Sequence, residues 1–277
     1  MPELPEVEMV CRGLRDLLPG TIIEQARLLR PGLAPDTSPR AFAARLRGGR
    51  IGEIGRRGKH ILIHLEKQQT LVVHLRMTGR FLYMDTAAEN PKHTHAAFRL
   101  DNGHKLLFTD QRHFGTMALV ETANLEQHPP LKKLAPEPFS DAFSPTTLHA
   151  ALQKSDQQIK LFLLDQTRVL GLGNIYAAEA LHRAGVNPQL PAARLTRARA
   201  TILHREIVHV LTEAIKNNGT INADPRDIGA SYTGGVYESM TRVYERENLP
   251  CYECGTAIRR FTQGGRSTYH CPRCQRR

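Results

Sequence analysis

The segment CYECGTAIRRFTQGGRSTYHCPRC, residues 251–274, carries two C-x2-C pairs separated by sixteen residues. This is the spacing of a four-thiolate zinc site, in which two facing knuckles supply a tetrahedron and the intervening residues form a hairpin. Cys251, Cys254, Cys271 and Cys274 are the expected ligands of one structural Zn2+, since no fifth ligand or open position is apparent. In a reducing compartment such pairs read as metal ligands before they read as disulfides. Arg259, Arg260, Arg266, Arg273, Arg276 and Arg277 surround them, opposed by Glu253. A hairpin so charged suits contact with phosphate more than catalysis.

Moving toward the N-terminus, residues 219–240 are rich in Gly, Asn, Asp, Ser and Thr and predict a mobile loop. A long helix is expected through Leu195, Ile202, Val210 and Leu211 to the stop at Asn217-Asn218-Gly219, and a shorter one over Ile175–Ala184, ended by Gly185 and Pro188. The preceding Gly171-Leu-Gly173-Asn174 is not a dinucleotide loop: Tyr176 stands where the third glycine belongs, and no βαβ unit surrounds it. Leu134 to Asp141, with prolines at 136, 138 and 145, reads as a linker. From Thr21 to about Glu121 the pattern is of short strands with turn punctuation. His60–Leu65, Thr70–Leu75, Arg80–Met84, Ala96–Leu100, Lys105–Asp110 and Thr116–Glu121 are the clearest, and their spacing predicts a sandwich or barrel. MPELPEVEMVCRGLRDLLPG opens the chain as a helix with Val7, Val10, Cys11, Leu14 and Leu18 on one face. Cys11 is expected to serve core packing.

The 277 residues carry a net charge of +11, which favours a polyanionic partner, nucleic acid ahead of an anionic membrane surface. No apolar run is long enough to span a bilayer. Glu3, Glu6 and Glu8 stand where a secretory signal needs basic and apolar residues, so a cytoplasmic, nucleoid-associated location is expected. Pro2 follows Met1, and a small residue there is normally exposed by removal of the initiator. The result is a secondary amine able to attack an anomeric carbon and become an iminium, an electron sink that permits elimination. An ordinary α-amino group has a pKa of about 7.7–8.0, and the following helix start lowers it. Glu3 is adjacent and suited to carrying a proton.

Six separated segments sharpen this. MPELPEVE, Arg57-Gly-Lys59, His74-Leu-Arg-Met77-Thr-Gly, Asp110-Gln-Arg112-His-Phe114-Gly, Gly171-Leu-Gly-Asn174-Ile-Tyr176 and the finger with Gly265-Arg266-Ser-Thr occur in this order. Together they resemble the formamidopyrimidine-DNA glycosylase family nearly end to end. The resemblance implies an α+β, two-domain chain: an N-terminal helix on a β-sandwich (1–132), a linker (133–145), a helix–two-turn–helix domain with a lesion-capping loop (146–240) and a zinc-finger hairpin (241–277). DNA is expected in the basic cleft between the halves.

It also implies a base-excision repair enzyme, a DNA glycosylase and AP lyase that removes 8-oxoguanine and formamidopyrimidines through a Pro2 Schiff base followed by β,δ-elimination. Glu3 is then the acid, Lys59 assists β-elimination, and Arg266 grips phosphates and serves δ-elimination. Met77, Arg112 and Phe114 match residues that fill the vacancy left by a flipped nucleotide. His74, His93, Lys160 and Asn174 match DNA-contacting positions, and backbone N–H groups of the 171–174 turn are expected to hold phosphates. The partner is double-stranded DNA bearing damaged bases, with no membrane, and the chain is expected to be a monomer. The alternatives are a sister endonuclease VIII-like enzyme for oxidised pyrimidines and an inactive zinc-finger DNA-binding protein. Three departures stand out. Ser155-Asp-Gln-Gln158 replaces basic residues ahead of Lys160, Asp110-Gln-Arg-His replaces Asp-Pro-Arg-Arg, and the capping loop carries an unusual Asp224-Pro-Arg-Asp227.

Overall fold

A computed structural model of the chain describes residues 2–220, 228 and 235–276. The lesion-capping loop and its Asp224-Pro-Arg-Asp227 fall largely outside the described residues. The chain forms two compact units, the first built on Glu6–Lys132 and the second on Lys133–Gly219 and Val236–Arg277; Pro2 counts with the first and Glu3–Pro5 with the second.

In the first unit, helix α1 (Leu4–Leu17) is followed by β1 (Ile22–Leu28), α2 (Pro39–Leu46), β2 (Gly49–Arg57), β3 (His60–Leu65), β4 (Gln69–His74), β5 (Arg80–Asp85), β6 (Thr94–Leu100), β7 (His104–Thr109), β8 (Thr116–Glu121) and a single turn, α3 (Pro129–Lys132). The strands are antiparallel in the order β5-β7-β6-β1-β2-β3-β4-β8. The link in the middle is thin, since β1 meets β2 through Ile22↔Arg50 and Ile23↔Gly49 alone, which divides the sheet into two four-stranded halves. Phe81, Phe98, Leu106 and Phe108 from one half share a core cluster with Ile54, Ile61, Val73 and Met117 from the other. The halves therefore face each other as the layers of a sandwich.

Val7, Val10, Cys11, Leu14 and Leu18 of the first helical segment enter that core as their spacing predicts. The opposite edge of α1 is held by charge: Glu8 accepts from Arg15 (2.8 Å) and Arg56 (2.9 Å), and Arg15 donates to the Ile54 carbonyl (2.9 Å). The Cys11 thiol points at the Gly55 carbonyl (3.6 Å), and burial pushes it up to about 12, so it is an inert core residue. Helix α2 interrupts what the sequence pattern read as strands alone. Ser38 caps it by accepting from the Ala41 amide, Pro39 occupies the first turn, and Phe42 and Leu46, four apart, are its buried side.

The second unit holds α4 (Pro145–Leu152), α5 (Ile159–Leu164), α6 (Asn174–Arg183), α7 (Arg197–Lys216) and the hairpin β9 (Arg259–Gln263) and β10 (Arg266–His270). Ser144 and Thr147 close a capping box at the start of α4, worth about 1 kcal/mol. The buried face of α7 is Ala200, Leu203, Ile207, Val210, Leu211 and Ala214, a 3.6-residue period; of the residues this helix was expected to run through, Leu195 precedes it and Ile202 is exposed. The segment 155–158 is engaged rather than open: the Ser155 and Gln157 carbonyls accept from Ala193 and Ala192, and the Gln158 amide oxygen accepts from Gln263 (2.7 Å). Among the described residues no helix is long and apolar enough to cross a membrane.

Candidate active site

The start of α6 is where the second unit concentrates its chemistry. Glu3 is buried there, and its carboxylate accepts from the amides of Gly173 (2.5 Å), Ile175 (2.9 Å) and Tyr176 (3.4 Å). These are N–H groups of the α6 N-cap and first turn, and the helix dipole favours negative charge among them. The glycines explain how Glu3 gets so close. A Cβ on Gly173 would lie 2.4 Å from the Glu3 carboxyl carbon, and one on Gly171, whose φ is +89°, would lie 2.4 Å from Leu4 Cδ1. The Leu4 amide also donates to the Gly171 carbonyl (3.1 Å). Of the amides in the 171–174 turn expected to cradle phosphate, that of Gly173 is given to Glu3 and that of Gly171 donates to the Gln166 side-chain oxygen (2.9 Å). That corrects the sequence-based expectation for those amides.

Arg266 begins β10 after a turn whose Gly264 and Gly265 have φ of +54° and +73°, and it is exposed. Two side chains fix the strand beside it. Lys160 donates to the Ser267 carbonyl (2.9 Å) and the Thr268 hydroxyl (2.8 Å), and the Asn174 side-chain amide donates to the same Ser267 carbonyl (2.9 Å). Burial pushes the Lys160 ammonium down to about 8; the Glu3 charge opposes this and the Arg266 charge adds to it. Glu3, Lys160 and Arg266 therefore share one electrostatic neighbourhood. Lys160 is 1% exposed, so its ammonium holds the finger strand and does not face outward as a phosphate contact would.

The four cysteine sulfurs all lie within 4.8 Å of one another. The Cys254–Cys271 and Cys251–Cys274 separations are 3.5 and 3.9 Å. A zinc ion at about 2.3 Å from each of four tetrahedral thiolates sets sulfurs about 3.8 Å apart, so the donors fit one structural Zn2+. His182 Nε2 lies 3.5 Å from the Cys251 sulfur, in position to orient that ligand.

In the first unit, Pro2 is buried in the chain that still carries Met1. Lys59 follows Gly58 (φ +56°) at the tip of the β2–β3 hairpin and is 6% exposed. Next to it, His60 and His74 are cross-strand partners with rings edge-to-face at 4.7 Å. Burial pushes His60 down to about 4 and His74 to about 2, the latter helped by the charges of His60, Arg76 and Lys59. Both are neutral at pH 7, and the Arg76 amide donates to His74 Nδ1 (3.0 Å), which leaves the proton on Nε2. Met77 and Phe114 are exposed apolar side chains, 38% and 51%, and the Arg112 guanidinium lies 5.0 Å from the centre of the Phe114 ring. His93 is exposed with φ +62°, its ring 5.9 Å from that of His113.

Three family models match successive stretches of the chain: the formamidopyrimidine-DNA glycosylase N-terminal domain over residues 1–117, the H2TH domain of the same enzymes over 134–224, and the zinc finger found in FPG and IleRS over 248–277. The chain belongs to the formamidopyrimidine-DNA glycosylase family. It is 43% identical over 277 residues to the formamidopyrimidine-DNA glycosylase of Desulforamulus reducens, covering 100% of this chain and 99% of that one. The Geobacillus kaustophilus glycosylase is 40% identical with 100% of both chains covered. Among solved structures, the Lactococcus lactis glycosylase in complex with abasic-site DNA superposes with a TM-score of 0.92 at 32% identity, over 100% of both chains. A structure of MutM with DNA containing carbocyclic 8-oxo-G gives 0.92 at 33%, again over 100% of both.

Two further buried acids hold the glycosylase scaffold in roles that their sequence context does not predict. Glu6 is fully buried and accepts from the amide (3.0 Å) and hydroxyl (3.2 Å) of Thr220, tying that residue to α1. Its only signal was a second glutamate three positions after Glu3, one helical turn on. Asp110, 1% exposed, organises the loop carrying Arg112 and Phe114, and no spacing rule marks it.

Proposed function

We propose that this chain excises oxidised purines, 8-oxoguanine and formamidopyrimidines, from double-stranded DNA and then cleaves the strand at the abasic site. The observation that carries the reading is the Pro2-Glu3 pair, with the Glu3 carboxylate built into the start of α6, in a chain that matches formamidopyrimidine-DNA glycosylases along its whole length. Removal of Met1 frees the Pro2 nitrogen. That nitrogen attacks C1′ of the damaged nucleotide, the glycosidic bond breaks, and the base leaves with the bonding pair and a proton delivered through Glu3. The C1′–O4′ bond then breaks, O4′ keeping the pair and taking up the proton shed by the Pro2 nitrogen, and the ring-opened iminium so formed acidifies C2′. Loss of that proton, assisted by Lys59, expels the 3′-phosphate, and a second elimination served by Arg266 expels the 5′-phosphate, leaving a one-nucleoside gap.

Met77, Arg112 and Phe114 fill the vacated stack; their exposure supports the assignment, because plugs for DNA must face solvent in its absence. His74, His93 and Asn174 contact the DNA backbone, and Lys160 acts on DNA through the strand bearing Arg266. The functional modules divide as 1–132, 133–145, 146–240 and 241–277. The protein works as a cytoplasmic, nucleoid-associated monomer.

Sodium borohydride tests the reading. With the mature chain it is expected to trap a covalent adduct on 8-oxoguanine duplexes far more than on thymine glycol duplexes, and Pro2→Gly is expected to abolish the adduct. Absence of an adduct, or one unchanged in Pro2→Gly, contradicts the assignment of the nucleophile. A preference for thymine glycol selects pyrimidine lesions instead.

A further inference from the structure

Met77 and the Arg112–Phe114 pair sit on two separate turns, one between β4 and β5 and one between β7 and β8. Both turns close on the same two residues. The Thr78 hydroxyl donates to Asp110 Oδ1, and the Arg112 amide is shared between that oxygen (3.2 Å) and the Thr78 hydroxyl (3.1 Å). The Gly115 amide donates to Oδ2 (2.7 Å). Beneath them a Cβ on Gly79 would lie 2.8 Å, and one on Gly115 2.7 Å, from Cζ of Phe108, so each turn brings its glycine against the same ring. The main chain of Asp110 is fixed as well: its amide donates to the His93 carbonyl (3.0 Å), and its carbonyl accepts from His95 Nε2 (2.8 Å).

On these contacts, and resting on the proposed function, we infer that Asp110 is a positioning residue that locks the two filling turns into one rigid wedge. It acts before base loss, by setting how readily the wedge enters the stack as the lesion leaves. Burial pushes the Asp110 carboxyl up, but hydrogen bonds from Thr78 and the amides of Gly115, Arg112 and Phe114 outweigh it and hold it below the ordinary carboxylate range. Only the ionised form is acceptor-only, so that no proton of its own is set against these four donors. An asparagine keeps one acceptor oxygen and puts an amino group in place of the other, so either the Gly115 amide loses its acceptor or the Arg112 amide faces a donor and Thr78 must turn its hydroxyl to accept; in both arrangements the junction of the two turns loses a bond. Met77 and Phe114 are then free to move separately, and insertion requires ordering them at the moment of binding.

The test compares two substrates within each variant: an 8-oxoguanine duplex, where a stack must be filled, and a single-stranded abasic oligonucleotide, where none exists. The readouts are single-turnover borohydride trapping and, for the duplex, stopped-flow fluorescence of 2-aminopurine beside the lesion. Asp110→Asn is expected to lower the duplex-to-single-strand rate ratio by about tenfold and to slow the 2-aminopurine phase in proportion. Thr78→Val, which keeps the shape and loses the hydroxyl, is expected to lower the ratio by about threefold, and Thr78→Ser to restore it. The double variant is expected to be no worse than Asp110→Asn alone, because both remove one linkage. Should Asp110→Asn not fold, the Thr78 pair decides the matter. An unchanged ratio in Thr78→Val, equal losses on both substrates, or effects that multiply in the double variant overturn the inference while the reaction stands. A wild-type chain that traps on neither substrate overturns the reaction, and the inference with it.

Discussion

Gly173→Ala tests the placement of Glu3 without removing any functional group. The new Cβ would stand 2.4 Å from the Glu3 carboxyl carbon and 2.5 Å from Oε1. Carbon atoms settle at about 3.5–4.0 Å, so the carboxylate must retreat by on the order of 1 Å. The retreat breaks the bond from the Gly173 amide, now 2.5 Å, and stretches those from Ile175 and Tyr176. Losing one charge-assisted bond at a buried carboxylate costs about 1.5–3 kcal/mol, which lowers the melting temperature by roughly 3–12 °C for a domain of this size. A misplacement of about 1 Å lowers a rate by about 100-fold where the displaced group takes part in the step. Single-turnover excision of 8-oxoguanine is therefore expected to fall by about two orders of magnitude, while strand cleavage at a preformed abasic duplex falls far less, since no base remains to be protonated. If Gly173→Ala excises at the wild-type rate, the cradle does not set the chemistry. If a folded variant loses both activities equally, Glu3 does not belong to the base-loss step.

Three further outcomes are expected. The histidine pair should make stability acid-sensitive: His60 and His74 are held at about 4 and about 2, below the ordinary value of about 6.5 that they regain on unfolding, so the unfolded chain binds more protons below pH 6.5. Stability should fall as pH drops from 6.5 toward 5, with a slope approaching about 1.4 kcal/mol per pH unit per histidine, and His60→Phe should flatten melting temperature against pH. Stripping zinc should unfold the β9–β10 hairpin, whose own buried cluster is small, with Ala178, Val243, Cys251, Ile258 and Cys271 among the described residues; elemental analysis should return one zinc per chain, and DNA binding should be lost with it. Met77→Ala and Phe114→Ala remove exposed side chains and should change unfolding free energy by less than about 0.5 kcal/mol, yet slow excision measurably; a slowing explained by lost stability contradicts their role.

The zinc ligands, the apolar face of α1 and the helical–strand division were legible because each rests on short-range periodicity or fixed spacing. Cys251 and Cys254 need only each other and one similar pair, and Val7 through Leu18 need only a 3.6-residue repeat. Helix α2 was legible too, in Ser38-Pro39 with Phe42 and Leu46, but one helix inside a strand-rich stretch is easily overlooked. What spacing does not carry is the partner of a buried polar group. Lys160 looked like a cation for DNA, yet its ammonium is taken by Ser267 and Thr268, more than a hundred residues later. The Gly173 amide looked like part of a phosphate cradle, yet a carboxylate from the third residue of the chain occupies it. In the sequence Asp110 was one acid in a loop motif; in the fold it joins two turns.

The sequence by itself determined the elements, the metal and the residues able to do chemistry, since these follow from local patterns and side-chain type. The tertiary structure alone decided which of those groups stay exposed and which are consumed in holding others. A buried donor or acceptor must find its partner wherever the folded chain brings one, and that distance along the sequence has no fixed period.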